Sequence, residues 1–127
     1  MRLTLASALV LIAMGTAAHA DVLAGGPTYG GNSQARATCY VFNASSVNSL
    51  SITSAQIFNE TSRTALQVGF SNCIGTLLPR GMCKMITGTD SVSAYTCKVV
   101  VGSKADTRGS LEISNIDKVV LNNVELR

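Results

Sequence analysis

An antiparallel all-β sandwich of about seven strands is the fold this chain predicts, from the spacing of its apolar residues and the residues that separate them. From residue 35 onward the apolar residues come in short runs or alternations bounded by Gly, Asn, Ser, Asp and Pro, with no helical period. Four cysteines, Cys39, Cys73, Cys83 and Cys97, follow an N-terminal export signal. An even set in a short exported chain reads as structural disulfides. The length, 127 residues, fits one domain.

The signal is expected over residues 1–20. Met1 and Arg2 give a positive start, Leu3 to Met14 is a mostly apolar run, and Ala18-His19-Ala20 is the small-x-small pattern of a cleavage site. A spanning helix needs about 20 apolar residues. The run is shorter, so no membrane span is expected in the mature chain from Asp21, and the protein is expected to be periplasmic or extracellular. The residue immediately after the cleavage site is Asp21 rather than a cysteine, which argues against lipid anchoring.

Residues 21–34 hold Gly25, Gly26, Gly30 and Gly31 with Pro27, and read as a loose arm or a poor edge strand. Residues 35–127 read as a single β-sandwich domain. Its expected strands are Ala35 to Asn43, Ser49 to Phe58, Ala65 to Phe70, Met82 to Thr87, Ala94 to Gly102, Arg108 to Ser114 and Lys118 to Leu126. Turns are expected at Asn59 to Arg63, at Leu78-Pro79-Arg80-Gly81 and at Ser114 to Asp117. On the last strand Val119 and Leu121 favour one face, while Val124 and Leu126 favour the other. A bulge at Asn122-Asn123 reconciles them, or both faces are covered there.

Composition narrows the function classes. Hydrophobic residues make up 46% of the chain and charged residues 13%. The Lys and Arg residues are scattered, whereas a nucleic-acid or anionic-membrane partner calls for a cluster. The only histidine, His19, leaves with the signal. The mature chain therefore has no Ser-His or Cys-His nucleophile. Asp21, Glu60, Asp90, Asp106, Glu112, Asp117 and Glu125 form no catalytic or calcium-loop pattern. Ser103-Lys104 is no dyad, because adjacent strand residues point to opposite faces. Cys73 and Cys83 are spaced unlike a C-x-x-C redox or metal pair. No enzyme activity, cofactor or metal is expected. Asn43-Ala44-Ser45 and Asn59-Glu60-Thr61 match the glycosylation acceptor pattern, but polar turn residues explain them more simply.

Tyr95-Thr96-Cys97 places a tyrosine two residues before a cysteine on a late strand, and Cys39 lies on the first clear strand. This resembles the immunoglobulin arrangement, in which a disulfide joins strands B and F. Val41-Phe42-Asn43 before Leu50-Ser51-Ile52, and Leu78 to Cys83 before strand E, resemble bacterial members of the major-sperm-protein and pilus-chaperone branch. The resemblance spans most of residues 36–115. It implies an immunoglobulin-like sandwich with two disulfides, and no binding residue is carried over. The tryptophan usual on strand C is missing, so Ile52 or Ile57 is expected to fill that volume. Of three possible pairings, Cys39–Cys97 joins two central strands and Cys73–Cys83 closes a short turn-rich segment; this combination is favoured.

With Cys39 inward, Ala37 and Val41 point in, and Thr38, Tyr40 and Phe42 point out. On the later strand Tyr95, Cys97, Val99 and Val101 face in. Tyr40 and Phe42 then form part of an exposed apolar patch, unless the arm 21–34 covers them through Val22, Leu23 and Tyr29. The expected function is a non-enzymatic binding or assembly module for a protein partner. The alternatives are a structural envelope protein without a ligand site, and an inhibitor probing an enzyme with the loop 74–82 through Leu77, Leu78, Arg80 and Met82. The candidate contacts are Tyr40, Phe42, Leu78 and Arg80.

Overall fold

The computed structural model describes residues 19–127. The expected export signal, apart from His19 and Ala20, lies outside the described residues. The strands, in chain order, are β1 (Asp21–Thr28), β2 (Arg36–Asn43), β3 (Leu50–Asn59), β4 (Phe70–Ser71), β5 (Gly75–Leu77), β6 (Met82–Gly88), β7 (Tyr95–Val101), β8 (Thr107–Ser114) and β9 (Val120–Glu125). They form a four-stranded sheet of order β1-β7-β3-β5 and a five-stranded sheet of order β4-β6-β2-β8-β9. All pairings are antiparallel.

The core lies between the sheets and follows the alternation read in the sequence. Ala37, Cys39 and Val41 of β2 face Tyr95, Cys97, Val99 and Val101 of β7, and all are buried. Met85, Leu111 and Ile113 extend the layer on the five-stranded sheet. A register shift in β3 between Ile52 and Ser54 lets two residues five apart both point inward. Both Ile52 and Ile57 are therefore buried. Cys39–Cys97 joins the sheets through the centre (Cα–Cα 6.1 Å), and Cys73–Cys83 joins the β4–β5 connection to β6 (Cα–Cα 5.1 Å). Both pairs are the favoured ones.

Nine strands rather than about seven form among the described residues. The expected strand Ala65 to Phe70 is replaced by a crossover. Leu66 donates its N–H to Ile57 in one sheet, and Gly69 donates its N–H to Ile86 in the other. Leu66 and Val68 still pack inward, but the segment changes sheets and cannot hold a ladder. The bulge in β9 exists and falls at Leu121, since Ile113 pairs with Asn122 and Ser114 with Val120. It sits one residue earlier than the Asn122-Asn123 expectation.

The glycine-rich segment is an ordered edge strand rather than a loose arm. β1 pairs with β7 from Asp21↔Val101 to Thr28↔Tyr95. Its other edge reaches the chain's end, where Ala24 and Arg127 exchange backbone hydrogen bonds of 3.0 and 3.1 Å. Residues from both ends of the described chain thus tie one side of the sandwich shut. A Cβ on Gly25 would lie 2.6 Å from Leu126 Cδ2 and 2.8 Å from the Glu125 carbonyl oxygen, so close approach explains that glycine.

The architecture is compatible with an immunoglobulin-like fold. β2, β6 and β4 stand as strands B, E and D, and β3 and β7 as C and F. The Asp90 N–H donates to the Tyr95 hydroxyl at 2.8 Å, a tyrosine corner two residues before the second core cysteine. The flanking strands depart from that plan. β8 takes the place beside β2 that strand A would hold, and β1 takes the place beside β7 that strand G would hold.

Candidate binding face

β2 runs through the middle of the five-stranded sheet between β6 and β8. With its odd-numbered core residues inward, Arg36, Thr38, Tyr40 and Phe42 line the outer face. Antiparallel pairing places Gly88, Ile86, Lys84 and Met82 of β6 opposite them on one side. Ser114, Glu112, Ser110 and Arg108 of β8 stand opposite on the other. Phe70 of β4 completes the row that holds Ile86, Thr38 and Glu112.

The face has two parts. At one end Phe42 (38% exposed) stands beside the exposed Met82, with Tyr40 and Arg108 bordering a shallow hollow between them. Leu78 (67% exposed) and Arg80 lie at this same end. The Leu78 carbonyl accepts from Asn43 Nδ2, and Gly81, just beyond Arg80, accepts from the Asn43 N–H. At the other end, a trough of about 650 Å³ crosses the strands from Phe70 to Lys118. Its lining alternates the short residues Thr38, Gly88 and Ser114 with the taller Tyr40, Lys84, Phe70 and Arg36. Thr38 points outward yet is only 3% exposed, because its taller neighbours enclose it. Partial burial pushes the Tyr40 phenol pKa up, Glu112 adds to the rise, and Arg36 opposes it.

The four sequence-derived contacts are thus placed together around one end of one sheet, with Tyr40 belonging to both parts. The glycine-rich segment does not cover them, because β1 lies in the other sheet; its Leu23 is in the core and its Val22 is exposed. Met82, Lys84, Ile86, Phe70, Arg36, Glu112 and Lys118 are further members of the face. Outward alternation on β6 carried the signal for three of them. Their juxtaposition with Tyr40 depends on strand pairing.

The loop 74–82 is anchored at several points. β5 pairs with Leu50 to Ile52 of β3, the Cys73–Cys83 bridge clamps its base, and Arg80 N–H donates to the Ser45 carbonyl. Leu77, expected as a probing side chain, packs against the core instead. Ile74, Leu78 and Met82 remain exposed. Arg80 holds φ at +59° in the turn closed by the Gly81 N–H and the Leu78 carbonyl.

Asn43, the first residue of an acceptor tripeptide, is buried, and its Nδ2 donates to the carbonyls of Asn48, Leu77 and Leu78. The nitrogen that glycosylation would modify is committed to the fold. Among the described residues no group of three or more His, Cys, Asp or Glu side chains is placed to hold a metal ion. No helix among them is long and apolar enough to cross a membrane. No family model, curated protein or solved structure matches this chain.

Proposed function

We propose that this protein is an exported, non-enzymatic binding or assembly module that recognises a protein partner with the outer face of its five-stranded sheet. The observation that carries the reading is Phe42 and Met82, both exposed and paired across β2 and β6, beside the partly exposed Tyr40 on the same outer face. Isolated exposed apolar residues are ordinary, but a contiguous group on one face marks an interaction surface. Both disulfides are consistent with an oxidising compartment. Within immunoglobulin-like domains, Val41-Phe42-Asn43 and the Leu78 to Cys83 turn favour the bacterial major-sperm-protein and pilus-chaperone branch. The anchoring of the loop 74–82 to both sheets, at the end of the sandwich where Phe42 and Met82 lie, supports reading it as a rim of this face.

The test is a Tyr40→Ala/Phe42→Ala double variant, compared with wild type in cross-linking and capture from envelope extract. Loss of the captured partner with a retained cooperative melt is the expected result. Truncation on an outer face costs about 1 kcal/mol, so the fold should persist. Equal capture by both proteins, or global unfolding of the variant, defeats the assignment of these residues as contacts.

A further inference from the structure

The trough beside the exposed Phe42 and Met82 is bordered by cations that form no ion pair among the described residues. Arg36, Lys84 and Lys118 line it against a single carboxylate, Glu112. Among the described residues the one ion pair is Arg127–Glu125 at 3.6 Å, far along β9 from these cations. Lys84 Nζ lies 6.0 Å from the centre of the Phe70 ring, at the outer limit of a cation–π contact. Lys118 is held by a turn in which φ is +64°, its N–H donating to the Asn115 carbonyl. Non-glycine residues seldom adopt that conformation.

The same trough is partly apolar, with Phe70, Ile86 and the Tyr40 ring among its lining. A ligand that fits it must therefore bring both negative charge and apolar side chains. We propose that the trough binds an acidic, extended peptide segment of the partner, an inference that rests on the binding-module reading. The trough crosses β4, β6, β2 and β8 and ends at the β8–β9 turn. At ~4.8 Å per strand interval and ~3.3 Å per extended residue, that distance takes about five or six residues. Alternation along such a segment places apolar side chains toward the row of Phe70 and Ile86, and carboxylates toward Arg36, Lys84 and Lys118 around it. Glu112 is left to accept from a backbone N–H of the peptide. A polyanionic glycan satisfies the cations but not the apolar lining.

The probe is a fluorescein-labelled peptide of about six residues, alternating aspartate with phenylalanine and leucine, titrated by anisotropy with the full mature protein. Wild type is expected to bind it at least about ten-fold more tightly than the same peptide with asparagine for aspartate, and raising salt from ~50 to ~500 mM should weaken it by a similar factor. A Lys84→Gln/Lys118→Gln variant should lose about ten-fold in affinity while keeping its melting temperature, because both side chains are exposed and in no ion pair among the described residues. A Val47→Ser variant, altered at an exposed position of the β2–β3 connection outside the trough, should bind the peptide as wild type does. Equal binding of the asparagine peptide, or tighter binding of an alginate hexasaccharide, overturns the inference. So does undiminished capture of the protein partner by the Lys84→Gln/Lys118→Gln variant, and in that case the binding-module reading stands. Failure of wild type to capture any partner defeats that reading, and the peptide titration still decides the trough.

Discussion

Asn43 ends β2 with 1% of its surface exposed. Its Nδ2 donates to three carbonyls at 2.8–3.2 Å, and its Oδ1 accepts from the Ser45 N–H at 3.1 Å. One amide thus fastens the β2–β3 loop to the turn before β6. Asn43→Ala removes these bonds from part-buried carbonyls, of which Leu78's keeps another donor, the Gly81 N–H; the expected loss is about 1–2 kcal/mol, to be read as a lower urea midpoint with an unchanged slope. Asp90 performs a similar task on the surface at the opposite end. Its carboxylate accepts from the Ser93 hydroxyl and from the Val92 and Ser93 N–H groups, the hydroxyl lowering its pKa most. A depressed folded pKa means that this contribution is present above the ordinary carboxylate value, about 3.9, and is lost as pH falls through the folded value. An Asp90→Asn variant should melt below wild type at pH 7, and the gap should narrow only below about pH 4. A gap that persists unchanged at pH 2 would assign the effect to something other than ionisation.

At the scale of elements, β1 shows why composition misleads. Glycine and proline suggested a weak segment, yet the strand pairs with β7, buries Leu23 and bonds to Arg127. Gly25 is needed because the chain's last residues cross over it. Gly25→Val should cost about 1–3 kcal/mol by overpacking against Leu126 and the Glu125 carbonyl. The check is a fall in melting temperature with earlier hydrogen exchange in β1 than in β2. The segment 65–70 is the converse case. Leu66 and Val68 gave a true alternation, but alternation reports only which side faces the core. Whether a ladder forms depends on a neighbour, and here the neighbours lie in different sheets. On β2 the same alternation placed Tyr40 and Phe42 outward correctly, because the strand is long and has one buried face.

At the scale of the whole molecule, two bridges divide the stabilising work. Cys39–Cys97 spans 58 residues and joins the two sheets, whereas Cys73–Cys83 spans 10 and tethers an edge. Loop-closure entropy assigns about 4 kcal/mol to the first and about 3 kcal/mol to the second. The first also fills the centre of the core. Cys39→Ala/Cys97→Ala should therefore lose cooperative folding near 37 °C, while Cys73→Ser/Cys83→Ser should stay folded with a lower melting temperature. Circular dichroism melts of the two double variants decide it. The reverse order would mean that the β4–β5 edge, not the sheet-to-sheet link, limits stability.

Apart from the cystine pairs, which it favoured among three possibilities, the sequence by itself determined the all-β class, most strand positions and the inward set on β2 and β7. These follow from period-two alternation, which is local, and a one-residue slip would turn every core side chain to water. The sequence also indicated Tyr40, Phe42, Leu78 and Arg80 as outward or loop residues. Only the tertiary structure decided that β8 lies beside β2 and β1 beside β7, that Leu77 turns inward, and that Thr38 is enclosed although it points out. It alone brought Arg36, Lys84, Lys118 and Phe70 around one trough. Those outcomes depend on which strands become neighbours and in what register. That choice is made by packing between residues far apart in the chain, which no local pattern records.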